Sequence, residues 1–340
     1  MITGITAQNI QSGFPVIAVA HVSTPYISVY PWTGSFGTKA ANPETLATGT
    51  GQGVTFTPSG DRIALAHSTT PFISVYPWTG TFGTKVANPT TLPAGNGFGV
   101  AFTPSGGHIA VGHGTSPNIS VYPWTGTFGT KVADPATPPP SNGIGIAFTP
   151  SGGHIAVAHD FTSPYIAVYP WTGTFGTKVA NPATAPTGAG SGVTFTASGD
   201  HIAVSHLTSP YISVYPWTGT FGTKVADPAT PPAGTGQGVT FTPSGGHIAV
   251  AHTTTPFISV YPWTGTFGTK VANPATLPTN TGFGVTFTPS GDAIAVAHGT
   301  SPNISVYPWT GTFGTKVADP ATALASSSYD IAFKGNTGKF

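Results

Sequence analysis

Eleven histidines, nine carboxylates and seven tryptophans are the residues of this chain that could do chemistry. Seven of the histidines recur at one repeat position: His21, His67, His113, His159, His206, His252 and His298. Each closes a short apolar run such as HIAVAH, on the same side as its Ile and Val or Leu. Zinc would need ligands at about 2.0–2.1 Å. Equivalent positions on packed neighbouring sheets stand roughly 10 Å apart. One ring of histidines therefore cannot share a metal, and a hydrogen bond to a loop carbonyl or hydroxyl is the expected role. His108, His154, His201 and His247 begin strands, with no Cys or paired carboxylates at ligand spacing.

The carboxylates are equally dispersed. Asp134, Asp227 and Asp319 exchange with Asn42, Asn88, Asn181 and Asn273 before a proline, which reads as an Asx turn. Asp61, Asp200 and Asp292 alternate with Gly in a turn, and Glu44 and Asp330 stand singly near the ends of the ring. Only Asp160 lies in a unique loop. There is no paired carboxylate, nucleophile elbow or phosphate loop. The tryptophans could serve as sugar platforms, but packing between structural units is the favoured reading, because aromatic side chains dominate core burial.

These residues are positioned by a repeat. Trp32, Trp78, Trp124, Trp171, Trp217, Trp263 and Trp309 are spaced by 46, 46, 47, 46, 46 and 46 residues. A period of this size means a solenoid or a propeller. Within one unit, GVAFT, HIAVGH, ISVY and FGTKV read as four strands. PSGG, GTSPN and PWTG connect them, and no segment has helical periodicity. The expected fold is all-β: a seven-bladed β-propeller with four antiparallel strands per blade. The lysine of GTK then sits on the outermost strand, a guard against edge-to-edge pairing. DIAFKGNTG, residues 330–338, aligns without a gap on GVTFTPSGG, and Phe333 lies 46 residues after Phe287. The C-terminal strand should therefore close blade 1. Residues 15–340 form the propeller and residues 1–14 an arm or leader.

The strand–PSGG–strand–strand–TG–strand phrase resembles the WD-repeat and YVTN-type seven-bladed propellers over essentially residues 15–340. Pro-Trp-Thr replaces the Trp-Asp pair, and the Gly-His pair is missing from its usual loop, so that family's hydrogen-bond network is not carried over. VYPWTGTFGTK is also similar to highly repetitive propellers of tailed phages and environmental bacteria. That resemblance implies a virion or extracellular setting.

A second period lies inside the first. Residues 113–137 are identical to residues 298–322, an offset of four blades. A four-blade block copied until the ring closed accounts for this. The copies differ mainly in two sets of connections, which leave a propeller on one face. One set carries Tyr26, Phe72, Asn118, Tyr165, Tyr211, Phe257 and Asn303. The other carries Gln52, Phe98, Ile144, Ser191, Gln237, Phe283 and Tyr329. The only insertion, Asp160-Phe161, lies on the same face. Either these loops drift unconstrained, or they form a binding face on a rigid scaffold.

Composition narrows the classes further. Charged residues are 6% of the chain, the net charge is +1, and there is no cysteine. Nucleic-acid binding lacks its basic patch. No apolar run approaches membrane-spanning length, and the start reads as no secretory signal. The sequence therefore predicts a non-catalytic binding or scaffold ring, monomeric or part of a larger assembly, without metal or cofactor. Its partner is a protein or surface glycan on the variable face, and a multivalent lectin is the alternative. An enzyme with a metal in the channel would need polar ligands from inner strands, which offer Thr, Val and Ala.

Overall fold

In the computed structural model, which describes residues 15–335, every element is a short β-strand. There are seven antiparallel three-stranded sheets. Blade 2 is typical: Gly51–Phe56 is the inner strand, Arg62–His67 the middle and Ile73–Pro77 the outer. The inner strands of successive blades touch all the way round, and the last touches the first. The described chain is thus a closed seven-bladed ring. The arm expected at residues 1–14 lies outside the described residues.

Blade 1 is closed by the C-terminal strand, Ser328–Phe333, which pairs with Val16–His21. The register places Phe333 opposite Ile17 and Ile331 opposite Val19. Phe333 and Ile331 are buried between blades 1 and 7, with Val19, Tyr30 and Trp32.

The expected fourth strand is not formed. After each Trp the chain makes one bridge, such as Trp78 to Phe82, and Val86 N–H donates once to Val75 O at 2.9 Å. Proline gives the physical reason. Thr57 N–H bonds Arg62 O, so by antiparallel alternation the next pair outward, Arg62 and Pro77, exchanges no hydrogen bonds. The polar groups of Pro77 therefore face outward, and proline offers only its carbonyl there. Gly83 N–H takes that carbonyl at 2.9 Å, and a fourth ladder has no donor to start from. The GTK lysines are likewise not exposed guards. They fold back on the Asx residue three positions later, as in the Lys131–Asp134, Lys224–Asp227 and Lys316–Asp319 pairs.

The core is seven interfaces between blades. A typical one joins Ala64, Ile73 and Val75 of blade 2 to Phe102, Val111, Tyr122 and Trp124 of blade 3. The seven tryptophans are 2–6% exposed, so packing and not sugar stacking is their role. Each meets the Phe of its own phrase edge-on, with centroids 5.0–5.3 Å apart.

The ring of seven histidines is fully buried. In six blades Nε2 is hydrogen-bonded to a serine of the outer strand at 2.9–3.0 Å, as in His67 with Ser74. Blade 4 has Ala167 at that serine position, and His159 Nε2 has no partner. Ala167→Ser restores the missing hydroxyl. It is expected to raise the unfolding free energy by about 1 kcal/mol in urea denaturation, the usual net worth of one such bond. An unchanged midpoint would mean that the site already satisfies the imidazole another way.

Candidate functional site: the central channel

The inner strands leave a cavity of about 220 Å³ on the axis. One water needs only about 10–15 Å³ on this measure, so the space is large enough for a small molecule. Each inner strand starts with a Gly-x-Gly phrase, or Ser-Tyr-Asp in blade 1, and the x residue points into the mouth. The second glycine permits the close approach. A Cβ on Gly99 would stand 2.5 Å from Ile144 O, and one on Gly284 would stand 2.9 Å from the Cα of Asp330.

The two variable sets predicted as one binding face therefore separate. Gln52, Phe98, Ile144, Ser191, Gln237, Phe283 and Tyr329 all line the cavity. Round the ring they make an apolar arc of Phe98 and Ile144, a polar pair of Ser191 and Gln237, and an aromatic pair. In that last pair Phe283 meets Tyr329 edge-on at 5.0 Å. The other set, Tyr26, Phe72, Asn118, Tyr165, Tyr211, Phe257 and Asn303, does not line the cavity. These residues hold left-handed turns with φ of 65–70°. Each returns its carbonyl to the histidine N–H at 3.0 Å, as Phe72 O does to His67. Asn118 is buried and donates to Pro139 O at 2.7 Å.

The blade-4 insertion stands apart from the cavity as well. Asp160 Oδ2 accepts from Asn142 Nδ2 at 3.1 Å, and burial pushes the carboxyl above its ordinary range. Phe161 is 80% exposed. On the SGD turns the carboxylates are structural too. Burial works to raise the Asp200 carboxyl, but the Thr196, His201 and Ser198 hydrogen bonds outweigh it and hold it at about 2.

One cavity residue was missed by the sequence reading. Asp330 replaces the second glycine of the inner-strand phrase, and it is the one carboxylate in the lining. Its Oδ2 accepts the Val54 N–H of blade 2 at 2.9 Å, while its Cα lies against Gly284 of blade 7. The signal was present in the gapless alignment of DIAF on GVTF, which sets Asp against Gly. The Val54 bond also reveals a backbone feature. By the alternation that leaves Val54 N–H outside the ladder, the matching amides of Val100, Ile146, Val193, Val239 and Val285 face the axis as well. The channel is thus a girdle of inward N–H groups with one carboxylate set into it.

A search against protein-family models finds no match, and a search of curated proteins finds no relative. Solved structures do share the ring. A candidate 6-phosphogluconolactonase from Bacteroides fragilis superposes with TM-score 0.76 at 12% identity, covering 96% of this chain and 99% of its own. A candidate 6-phosphogluconolactonase from Bacteroides uniformis gives 0.70 at 15%, covering 94% and 99%. The periplasmic gluconolactonase of Pseudomonas aeruginosa also gives 0.70 at 15%, covering 95% and 99%. None of these three carries a WD-repeat or phage name. They correct the expectation of a non-catalytic scaffold or lectin, because propellers of this build carry lactonase names. At these identities what the chain shares with them is the fold: a seven-bladed β-propeller.

Proposed function

We propose that the chain is a lactone hydrolase working in the central channel. The observation that carries this reading is Asp330, the one carboxylate of the lining, placed among inward-facing backbone amides. The lactonase names of the neighbours support the same reaction class. Opening a lactone needs a base to take a proton from water and donors for the oxygen that becomes negative. Asp330 supplies the base. Water attacks the lactone carbonyl carbon as its proton passes to the carboxylate. The tetrahedral oxyanion is met by inner-edge N–H groups, which need no reorganisation. Collapse breaks the ring C–O bond, and the proton on Asp330 passes to the departing alkoxide. One lactone and one water become one hydroxy acid.

Asp330→Asn keeps the size and removes the base. It is expected to lower kcat for hydrolysis of a five- or six-membered lactone by about 10²–10⁴-fold, the usual contribution of general-base catalysis. Hydrolysis is read by acid release in a weakly buffered indicator assay, with the non-enzymatic rate subtracted. Equal rates in variant and parent would reject Asp330 as the base. No rate above background in the parent, over a panel of lactones, would reject the reading itself.

A further inference from the structure

Resting on the lactone-hydrolase reading, we infer that the channel selects uncharged, polyhydroxylated lactones and rejects phosphorylated ones. The charge of the lining carries this. Among the described residues the cavity holds no Lys, Arg or His, and its single carboxylate is Asp330. Phosphate recognition relies on charge-assisted hydrogen bonds, above all from arginine. The alternative donors are the inward amides, a kind of group that binds anions when it converges. Asp330 already takes the Val54 amide and stands between blades 7 and 2, so its negative field lies over the same girdle.

An anion bound against this lining shares the cavity with the Asp330 carboxylate. At an effective dielectric of about 20, one like charge at roughly 7 Å weakens binding by about 50-fold, and a dianion by more. The remaining lining suits a neutral sugar ring instead. Gln52, Ser191 and Gln237 offer uncharged donors and acceptors to hydroxyls. Phe98 and Ile144 offer an apolar wall to the ring face.

The test uses the full chain and two matched pairs of probes. D-glucono-1,5-lactone and its 6-phosphate are compared by kcat/KM. D-gluconolactam and its 6-phosphate, which resist opening, are compared by titration calorimetry. The expected result is a preference of at least about 50-fold for the neutral member of each pair. Asp330→Asn should shrink the lactam preference by about tenfold or more, and Gln237→Arg should shrink it further by adding a cation. Equal or tighter binding of the phosphorylated lactam overturns the inference, and so does a lactam pair that fails to bind at all. The hydrolysis arm speaks separately. If neither lactone is opened, the hydrolase reading falls, while the lactam preference still decides whether the channel discriminates by charge.

Discussion

Deleting residues 328–340 is expected to abolish the folded monomer. The deletion removes the inner strand of blade 1, the one blade built from both ends of the chain. Ile331 and Phe333, 0% and 1% exposed, leave the interface between blades 1 and 7, and Ala332 leaves the one between blades 1 and 2. Each large apolar side chain is worth about 1.5–3 kcal/mol of burial. The loss also strips the ladder partner from Val16–His21 and bares the inner edge of an apolar strand, which invites intermolecular pairing. Against a net stability of typically 5–15 kcal/mol, this is enough to unfold or aggregate the ring. Gel filtration and near-ultraviolet circular dichroism of the truncated chain are the measurements. A monomer with the parent's spectrum and melting temperature would show that strand 328–333 is dispensable to closure. A gentler version, Ile331→Ala, should cost about 2–5 kcal/mol and leave a measurable fold.

The second large effect is in pH. Burial, first of all, lowers the seven ring histidines from the ordinary 6.5 to about 4. The nearby GTK lysines push the same way, while local backbone groups push back. A depressed imidazole pKa means that the fold favours the neutral ring. The stabilisation is therefore complete above pH 6.5 and is lost as pH falls from 6.5 toward 4. Between those values each histidine that charges on unfolding costs about 1.4 kcal/mol per pH unit. Seven acting together steepen the loss several-fold, so acid unfolding is expected well above the carboxylate range. It should be cooperative and take up between about five and seven protons. The check is urea stability measured from pH 7.5 to 4.5, with the slope giving proton uptake. Stability that stays flat down to pH 4.5 would mean that the buried imidazoles do not titrate on unfolding. The sharp dependence would also separate this ring from one held by surface ion pairs, which respond to salt more than to acid in this range.

Particular residues show why some of this architecture was legible in the sequence and some was not. The Trp spacing alone fixes the number of blades. The 46-residue step from Phe287 to Phe333 predicts the closing register that the structure adopts, with Phe333 opposite Ile17. The histidine ring was legible because its seven members follow alternating apolar residues, and the expected hydroxyl partner is there, Ser74 for His67. The fourth strand was misread because FGTKV has the right composition. Whether a ladder forms depends on the direction of the Pro77 polar groups, which follows only from the pairing of its neighbours. The site was half legible. Variation at Gln52, Phe98 and Ile144 marked the mouth, and the same criterion gathered Tyr26 and Phe72, which hold left-handed turns outside the cavity. Asp330 escaped because variation among loops was weighed, whereas the informative change was an acid on a strand position reserved elsewhere for glycine.

The closing strand is also the strand that carries Asp330. Synthesis therefore delivers the acid of the channel only after the strands of six blades are already made. A chain that stops before strand 328–333 can own nearly every strand of the ring and still lack the channel carboxylate. For the proposed hydrolase, activity would then report ring closure: the carboxylate reaches the channel only when strand 328–333 has paired with Val16–His21.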